Sequence, residues 1–218
     1  MKLSLINASV VVLAQDHNPS ILHPAFLSKQ GIVPENWTEA EAPICTPPFS
    51  IVKYPNGLVF TVETNKLQVM ENNPPLDLSM AEAPLRAELY INKLPHVRYL
   101  AAGVNFSGLV ECTNWETFLL ERFITSGPWN ANALKATAVG IKFVYPCADA
   151  KFTLSLDAGT VKSLKDQGER RGLLVSGNYH CDLDAAKPLD SAVAALKKFS
   201  LRASHFKETC TTVLGLET

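Results

Sequence analysis

The chain has 218 residues, of which 47% are apolar and 19% are charged, and this composition excludes an intrinsically disordered chain. The formal net charge of −1 is spread evenly, with seven Lys/Arg against nine Asp/Glu in residues 1–100 and thirteen against twelve in residues 101–218. The basic excess typical of a nucleic-acid binder is therefore missing, and no run of about 20 apolar residues is present to cross a membrane.

The first part of the chain alternates strand-like runs with turn signals. Ser9–Gln15 is an apolar, β-branched run that predicts a buried strand. A short helix is predicted next, because Pro24 suits its first position and Gly31 suits the position just after its end. Asn56-Gly57 then predicts a hairpin turn, since this pair readily takes the positive φ that such turns need.

A further strand and a helix complete the first half. Leu67–Glu71 predicts the strand. Ser79 and Glu82 form a capping-box pattern, which predicts the start of a helix running towards Leu94.

The second half repeats this order of elements. Tyr99–Val110 predicts a strand, and the capping-box pattern of Thr113 and Glu116 predicts a helix that Gly127-Pro128 ends. Three more strands are predicted, at Val139–Tyr145, Lys151–Asp157 and Leu173–His180.

Two later segments differ from the first half. Ala158–Gly172 predicts a charged insertion. Apolar residues recur every three or four positions from Leu189 to Cys210, which predicts one amphipathic helix.

An offset of 92 residues brings eight identical residues into register over about fifty positions, where roughly three are expected by chance. The pairs are Val12/Val104, Phe26/Phe118, Leu27/Leu119, Ile32/Ile124, Trp37/Trp129, Val52/Val144, Phe60/Phe152 and Thr61/Thr153. We interpret this pattern as an internal duplication.

The duplication predicts an α+β fold with a first repeat at 1–96 and a second at 97–218, each of the order β-α-β-β-β(-β)-α. We expect the repeats to join in one continuous domain with a single curved antiparallel sheet of eight to ten strands and helices on one face. The first strands of the two repeats then pair at the centre. This arrangement resembles the duplicated fold of the TATA-binding protein in topology and repeat length. The resemblance implies an architecture and no activity, because no binding motif of that family is matched. Two separate α+β domains, or another helix-grip sheet, are the alternatives.

Five cysteines at positions 45, 112, 147, 181 and 210 are odd in number and widely spaced, with no zinc-type motif. We therefore predict free thiols, a cytoplasmic location and no metal or other cofactor. The apolar N-terminus is interpreted as a strand rather than a signal peptide.

Two polar clusters follow predicted strands and are the candidate catalytic groups. The first contains Asp16 and His17, and the second contains His180, Cys181 and Asp182. If such groups meet, they provide a nucleophile with its base, or a metal site. The alternative is that they end turns at a solvated sheet edge, and this alternative is favoured.

The paired aromatic residues divide into two groups. The paired phenylalanines are predicted to pack in the core, because burying each contributes about 2–3 kcal/mol. Trp37 and Trp129 lie in predicted loops and are candidate partner-binding residues.

The absence of nucleotide, hydrolase and metalloprotease motifs favours a non-catalytic binding or scaffold subunit. It is expected to engage a protein partner, or a second copy, through the open sheet face or the sheet edge. A small hydrolase or metal-dependent enzyme at the strand ends is the alternative, and nucleic-acid binding ranks last.

Overall fold

The computed structural model describes residues 1–130, 135–162 and 168–216, and these residues form one nine-stranded antiparallel sheet and five α-helices. The strands are β1 (Leu3–Gln15), β2 (Ile44–Cys45), β3 (Phe49–Lys53), β4 (Leu58–Glu63), β5 (Lys66–Asn72), β6 (Arg98–Val110), β7 (Ile141–Cys147), β8 (Ala150–Lys162) and β9 (Glu169–Asp182). The helices are α1 (Pro24–Lys29), α2 (Glu82–Asn92), α3 (Phe118–Phe123), α4 (Pro188–Lys197) and α5 (Phe199–Leu214).

The two long strands β1 and β6 pair with each other in the middle of the sheet. The strand order is β2-β3-β4-β5-β1-β6-β9-β8-β7. Val10 lies opposite Val104 in an antiparallel register that extends from Leu3 to Gln15. The predicted single sheet and its predicted central pair are therefore confirmed.

One cross-strand row shows how the core is built. From β3 to β7 it runs through eight strands as Val52, Phe60, Val69, Val10, Val104, Tyr179, Phe152 and Tyr145. All of these side chains are buried except that of Tyr145, which is half-buried. Because side chains alternate along a strand, this row lies on a single face of the sheet.

The described helices pack against that same face. Helix α2 contacts β1 and β5, and the helices α4 and α5 contact β6. Phe206 of α5 lies so close to Gly177 of β9 that a Cβ at Gly177 would come within 2.5 Å of its ring. Leu27 of α1 and Leu119 of α3 are buried in the same core. The opposite face carries no described helix.

Two glycines confirm the local predictions for the first half. Gly31 follows α1 with a φ of +67°, the left-handed conformation expected just past a helix end. Gly57 has a φ of +90° in the turn between β3 and β4.

The helix-start predictions are wrong at two places. Helix α2 begins at Glu82 without a capping box, because Ser79 belongs to a separate 3₁₀ turn and Ala81 holds the N-cap position. Helix α3 begins at Phe118, several residues after the predicted cap at Thr113.

The two other segments of the second half also differ from expectation. The single helix predicted from Leu189 to Cys210 is divided at Lys198 into α4 and α5. The predicted insertion at 158–172 lengthens β8 and β9, and its middle, 163–167, lies outside the described residues. None of the described helices combines the length and apolar character needed to span a membrane.

Candidate functional site

The end of β9 places two of the candidate catalytic residues together. His180 pairs with Lys151 of β8, and its Nε2 lies 3.4 Å from Asp182 Oδ1. Both line a cavity of about 530 Å³ at the turn between β7 and β8. The other lining residues are Val144, Pro146, Cys147, Asp149, Ala150 and Lys151. A carboxylate beside an imidazole can orient the ring for proton transfer.

Cys181 belongs to a different cluster on the helix-covered face, because neighbouring residues of a strand point to opposite faces. Arg202 is buried there, and its Nη2 donates hydrogen bonds to Cys181 Sγ at 2.9 Å and to Asp149 Oδ2 at 3.0 Å. Lys198 Nζ also donates to Asp149, at 2.8 Å. Burial raises the pKa of the Cys181 thiol. The hydrogen bond from Lys198, followed by the charge of Arg202, lowers the pKa of Asp149. The thiol therefore stays protonated and hydrogen-bonded to a guanidinium, separate from His180.

A tyrosine–histidine pair near this cluster has no counterpart in the sequence analysis. Tyr179 Oη lies 2.6 Å from His205 Nδ1. His205 lines a second cavity, of about 520 Å³, together with Cys147 and Glu208. Burial raises the pKa of Tyr179. No local pattern predicts this pair, since it depends on α5 packing across β9.

Asp16 and His17 lie at the end of β1, in unlike surroundings. Asp16 is exposed in a turn with a φ of 58°. His17 is buried, with its Nε2–H donating to the Val12 carbonyl at 3.3 Å and its ring centroid 6.2 Å from that of Tyr99. Burial lowers the pKa of His17. Neither residue lines the His180 cavity.

Metal binding finds no support in the part of the chain that the structure describes. Among these residues, no group of three or more His, Cys, Asp or Glu side chains is placed to hold a metal ion.

The two candidate tryptophans lie in unlike surroundings. Trp37 packs against Tyr54, with ring centroids 5.2 Å apart, and Arg86 lies over its ring at 5.3 Å. It also lines a cavity of about 280 Å³. Trp129 lies in a 3₁₀ turn and is 38% exposed.

The open sheet face carries a compact patch of eight short, uncharged polar side chains, which we call the polar patch. Two adjacent cross-strand rows from β1, β6, β9 and β8 form it: Asn7, Ser107, Ser176, Ser155 and Ser9, Asn105, Asn178, Thr153. Asn178 Nδ2 donates to Asn105 Oδ1, and Asn105 Nδ2 donates to Ser9 Oγ at 3.4 Å. These bonds link the side chains of Asn178, Asn105 and Ser9 across three neighbouring strands.

No family model matches this chain, and no curated protein matches it either.

Proposed function

We propose that the protein is a non-catalytic binding or scaffold subunit that engages a protein partner, or a second copy of itself, through its open sheet face. The observation that carries this proposal is the one-sided packing of the helices. None of the described helices packs on the other face of the central strands β5, β1, β6, β9 and β8.

The chemistry of this face suits a protein surface better than nucleic acid. Beside the polar patch, the half formed by β3, β5 and β1 has apolar, half-buried side chains: Phe49, Ile51, Met70, Val11 and Leu13. Two of the lysines at its border are neutralised, Lys53 by Glu41 at 2.8 Å and Lys66 by Glu63 at 2.7 Å. An apolar area beside a hydrogen-bonding area is typical of protein interfaces, whereas nucleic-acid affinity depends on free cations.

We also propose that the two halves are duplicated units with a TATA-binding-protein-like topology. The central row of the core supports this, since Phe60 and Phe152 hold corresponding places on either side of β1 and β6. In the same row Val10 lies opposite Val104, and Val52 and Tyr145 hold corresponding places at its two ends. In this proposal Val104 corresponds to Val10, two residues before the sequence partner Val12. Val52 corresponds to Tyr145, one residue after the sequence partner Val144.

The proposed location is the cytoplasm. All five cysteines are free thiols, which supports a reducing compartment.

An arginine placed on the open face tests the binding proposal. Asn178→Arg puts a long cation in the middle of the polar patch, and Ser204→Arg puts the same side chain on the exposed surface of α5. We expect the wild type and Ser204→Arg to retain the same co-purified partner, or the same dimer in sedimentation velocity, and Asn178→Arg to lose it. A wild-type monomer without a partner, or equal retention in all three proteins, would contradict the proposal.

The second candidate is a small thiol hydrolase, and the shared cavity of Cys147, His180 and Asp182 favours it. In this case His180 takes the thiol proton of Cys147, and Asp182 orients the imidazole. His180→Asn is then expected to slow iodoacetamide alkylation of Cys147 at pH 7 by roughly tenfold or more, and to abolish hydrolysis of p-nitrophenyl acetate. The control is His96→Asn at an exposed site. Equal alkylation rates in both variants would remove this candidate.

A further inference from the structure

A cavity of about 280 Å³ lies between the loop after α1 and the turn that joins β3 to β4. Six residues line it: Asn36, Trp37, Thr38, Tyr54, Pro55 and Asn56. It is separate from the open face and from the cavities at the β7–β8 turn. Small-molecule pockets usually span about 300–1,000 Å³, so this cavity suits a ligand of about one ring.

Tyr54 presents its hydroxyl to this cavity. Its side chain is almost completely buried, at 3% exposure, yet its Oη has no hydrogen-bond partner among the residues described. Among the described residues, no side-chain nitrogen or oxygen atom is both completely buried and without a hydrogen-bond partner. The Tyr54 hydroxyl is therefore accessible, and it opens into the cavity that its ring lines. Burial, and then the nearby charge of Glu39, raises the pKa of Tyr54 to about 12. The phenol is therefore a neutral donor at physiological pH.

The aromatic walls are fixed before any ligand arrives. Trp37 contacts the ring of Tyr54, with centroids 5.2 Å apart, and the guanidinium of Arg86 lies 5.3 Å from the Trp37 centroid. Arg86 is itself held by Glu82 Oε2 at 2.6 Å and by the Ile32 carbonyl at 3.0 Å. A preorganised wall lowers the entropy cost of binding.

The charges around the cavity favour a neutral ligand. None of the six lining side chains is ionised, since they comprise two carboxamides, a hydroxyl, a proline and two aromatic rings. Arg86 already occupies a face of the Trp37 ring, which disfavours a second cation there. The negative charge of Glu39 is close enough to raise the pKa of Tyr54, and the same charge disfavours an anion in the cavity.

The polar lining groups can both donate and accept. The carboxamide of Asn36 and the hydroxyl of Thr38 make no side-chain hydrogen bond to any described residue, and both residues are exposed. Asn56 accepts a bond from the Leu58 backbone at 3.2 Å, which leaves its amide hydrogens free to donate.

We propose that this cavity binds a neutral saccharide ring, either as a free monosaccharide or as the end unit of a glycan. A sugar ring combines C–H surface, which packs on the indole and phenol, with hydroxyl groups that donate and accept as the carboxamides do. This inference goes beyond the proposed function and is independent of it.

The test is an amide and indole NMR titration of the full chain with glucose, galactose, mannose and N-acetylglucosamine, each up to about 50 mM, above the millimolar affinity expected for so small a ligand. We expect at least one sugar to shift the Trp37 indole signal and the amides of residues 36–38 and 54–56. The same sugar at the end of a short oligosaccharide distinguishes the two sources. If the ligand is a glycan end, the oligosaccharide binds at least as tightly as the free sugar, and if the ligand is a free monosaccharide, it binds less tightly.

Tyr54→Phe removes only the hydroxyl that opens into the cavity and keeps the ring, and it should weaken binding about tenfold or more. Tyr90→Phe is the matched control, because Tyr90 is another buried tyrosine that does not line the cavity. Asn36→Ala, at an exposed position, provides a second lining variant with no effect expected on the fold. No shift with any sugar, equal affinity in Tyr54→Phe, or shifts with choline or a polyproline peptide in place of sugars would overturn the proposal.

Discussion

Phe152 shows how strongly single residues hold the sheet to its helices. Its ring is fully buried and stacks on Tyr179 with a centroid distance of 4.4 Å, while His205 of α5 packs on it edge-on at 5.3 Å. Phe152→Ala is expected to lower the free energy of unfolding by about 3–5 kcal/mol, because it leaves a cavity in a closely packed region. Urea denaturation measures this change. Val144→Ala is the control, since Val144 is 51% exposed and should cost about 0.5 kcal/mol or less. A loss below about 1 kcal/mol for Phe152→Ala would contradict the core assignment.

His17 makes stability depend on pH. Burial holds its pKa below the ordinary value of 6.5, so at mildly acid pH the unfolded chain binds a proton that the folded chain does not. The unfolding free energy should therefore fall as pH drops below 6.5 and through the folded-state pKa. His17→Gln keeps a donor for the Val12 carbonyl and cannot titrate, so its thermal midpoint should change less between neutral and acid pH. His96→Gln, at an exposed site, should behave like the wild type. Equal pH slopes for His17→Gln and the wild type would contradict this assignment.

Residue-scale prediction from the sequence works where one local rule decides the outcome. The burial of Phe152 follows from alternation along its strand. Alternation also assigns His180 and Cys181 to opposite faces, so the prediction that placed them in one cluster did not apply this rule. By contrast, the partners of Cys181 and Tyr179 come from α5, and no local pattern reveals a contact across that distance in the chain.

At the scale of elements, α2 receives its N-terminal cap from another element. Ala81 has no side chain that can cap, and the carboxylate of Glu71 in β5 instead accepts bonds from the backbone N–H groups of Glu82 at 2.9 Å and Ala83 at 3.3 Å. A carboxylate at a helix N-terminus is favourable for the helix dipole. The sequence offered Ser79 as a nearer cap, which explains why the predicted capping box is wrong.

Glu71→Ala should destabilise the protein by about 1 kcal/mol, as the loss of a helix cap does. Burial raises the pKa of Glu71 above the ordinary 4.5, so ionisation costs more in the folded state. Wild-type stability should therefore fall as pH rises from 4.5 through the folded-state pKa, whereas Glu71→Gln keeps an acceptor and lacks this dependence. The difference in melting temperature, Glu71→Gln minus wild type, should grow with pH across this window. A difference that does not change with pH would contradict the assignment.

For the molecule as a whole, the order of strands is what the sequence could predict least directly. Local patterns located most strands, but they do not state which strands are neighbours. The central pairing of β1 and β6 was predicted only because the 92-residue offset made the first strands of both halves equivalent. The short edge strand β2 was not predicted, since two exposed residues give no periodic signal.

The final prediction concerns residues 1–96 expressed alone. In the full chain β1 lies between β5 and β6, so the fragment loses a neighbour along a strand of 13 residues. The exposed edge would include Val10–Leu13, an apolar run with unpaired backbone groups, and such an edge is a template for aggregation. We expect the fragment to be insoluble and to become soluble when 97–218 is co-expressed, because β6 then restores the pairing from Leu3 to Gln15. Solubility and circular dichroism melting provide the measurement. A soluble fragment with a cooperative melt would instead identify the halves as two independent domains.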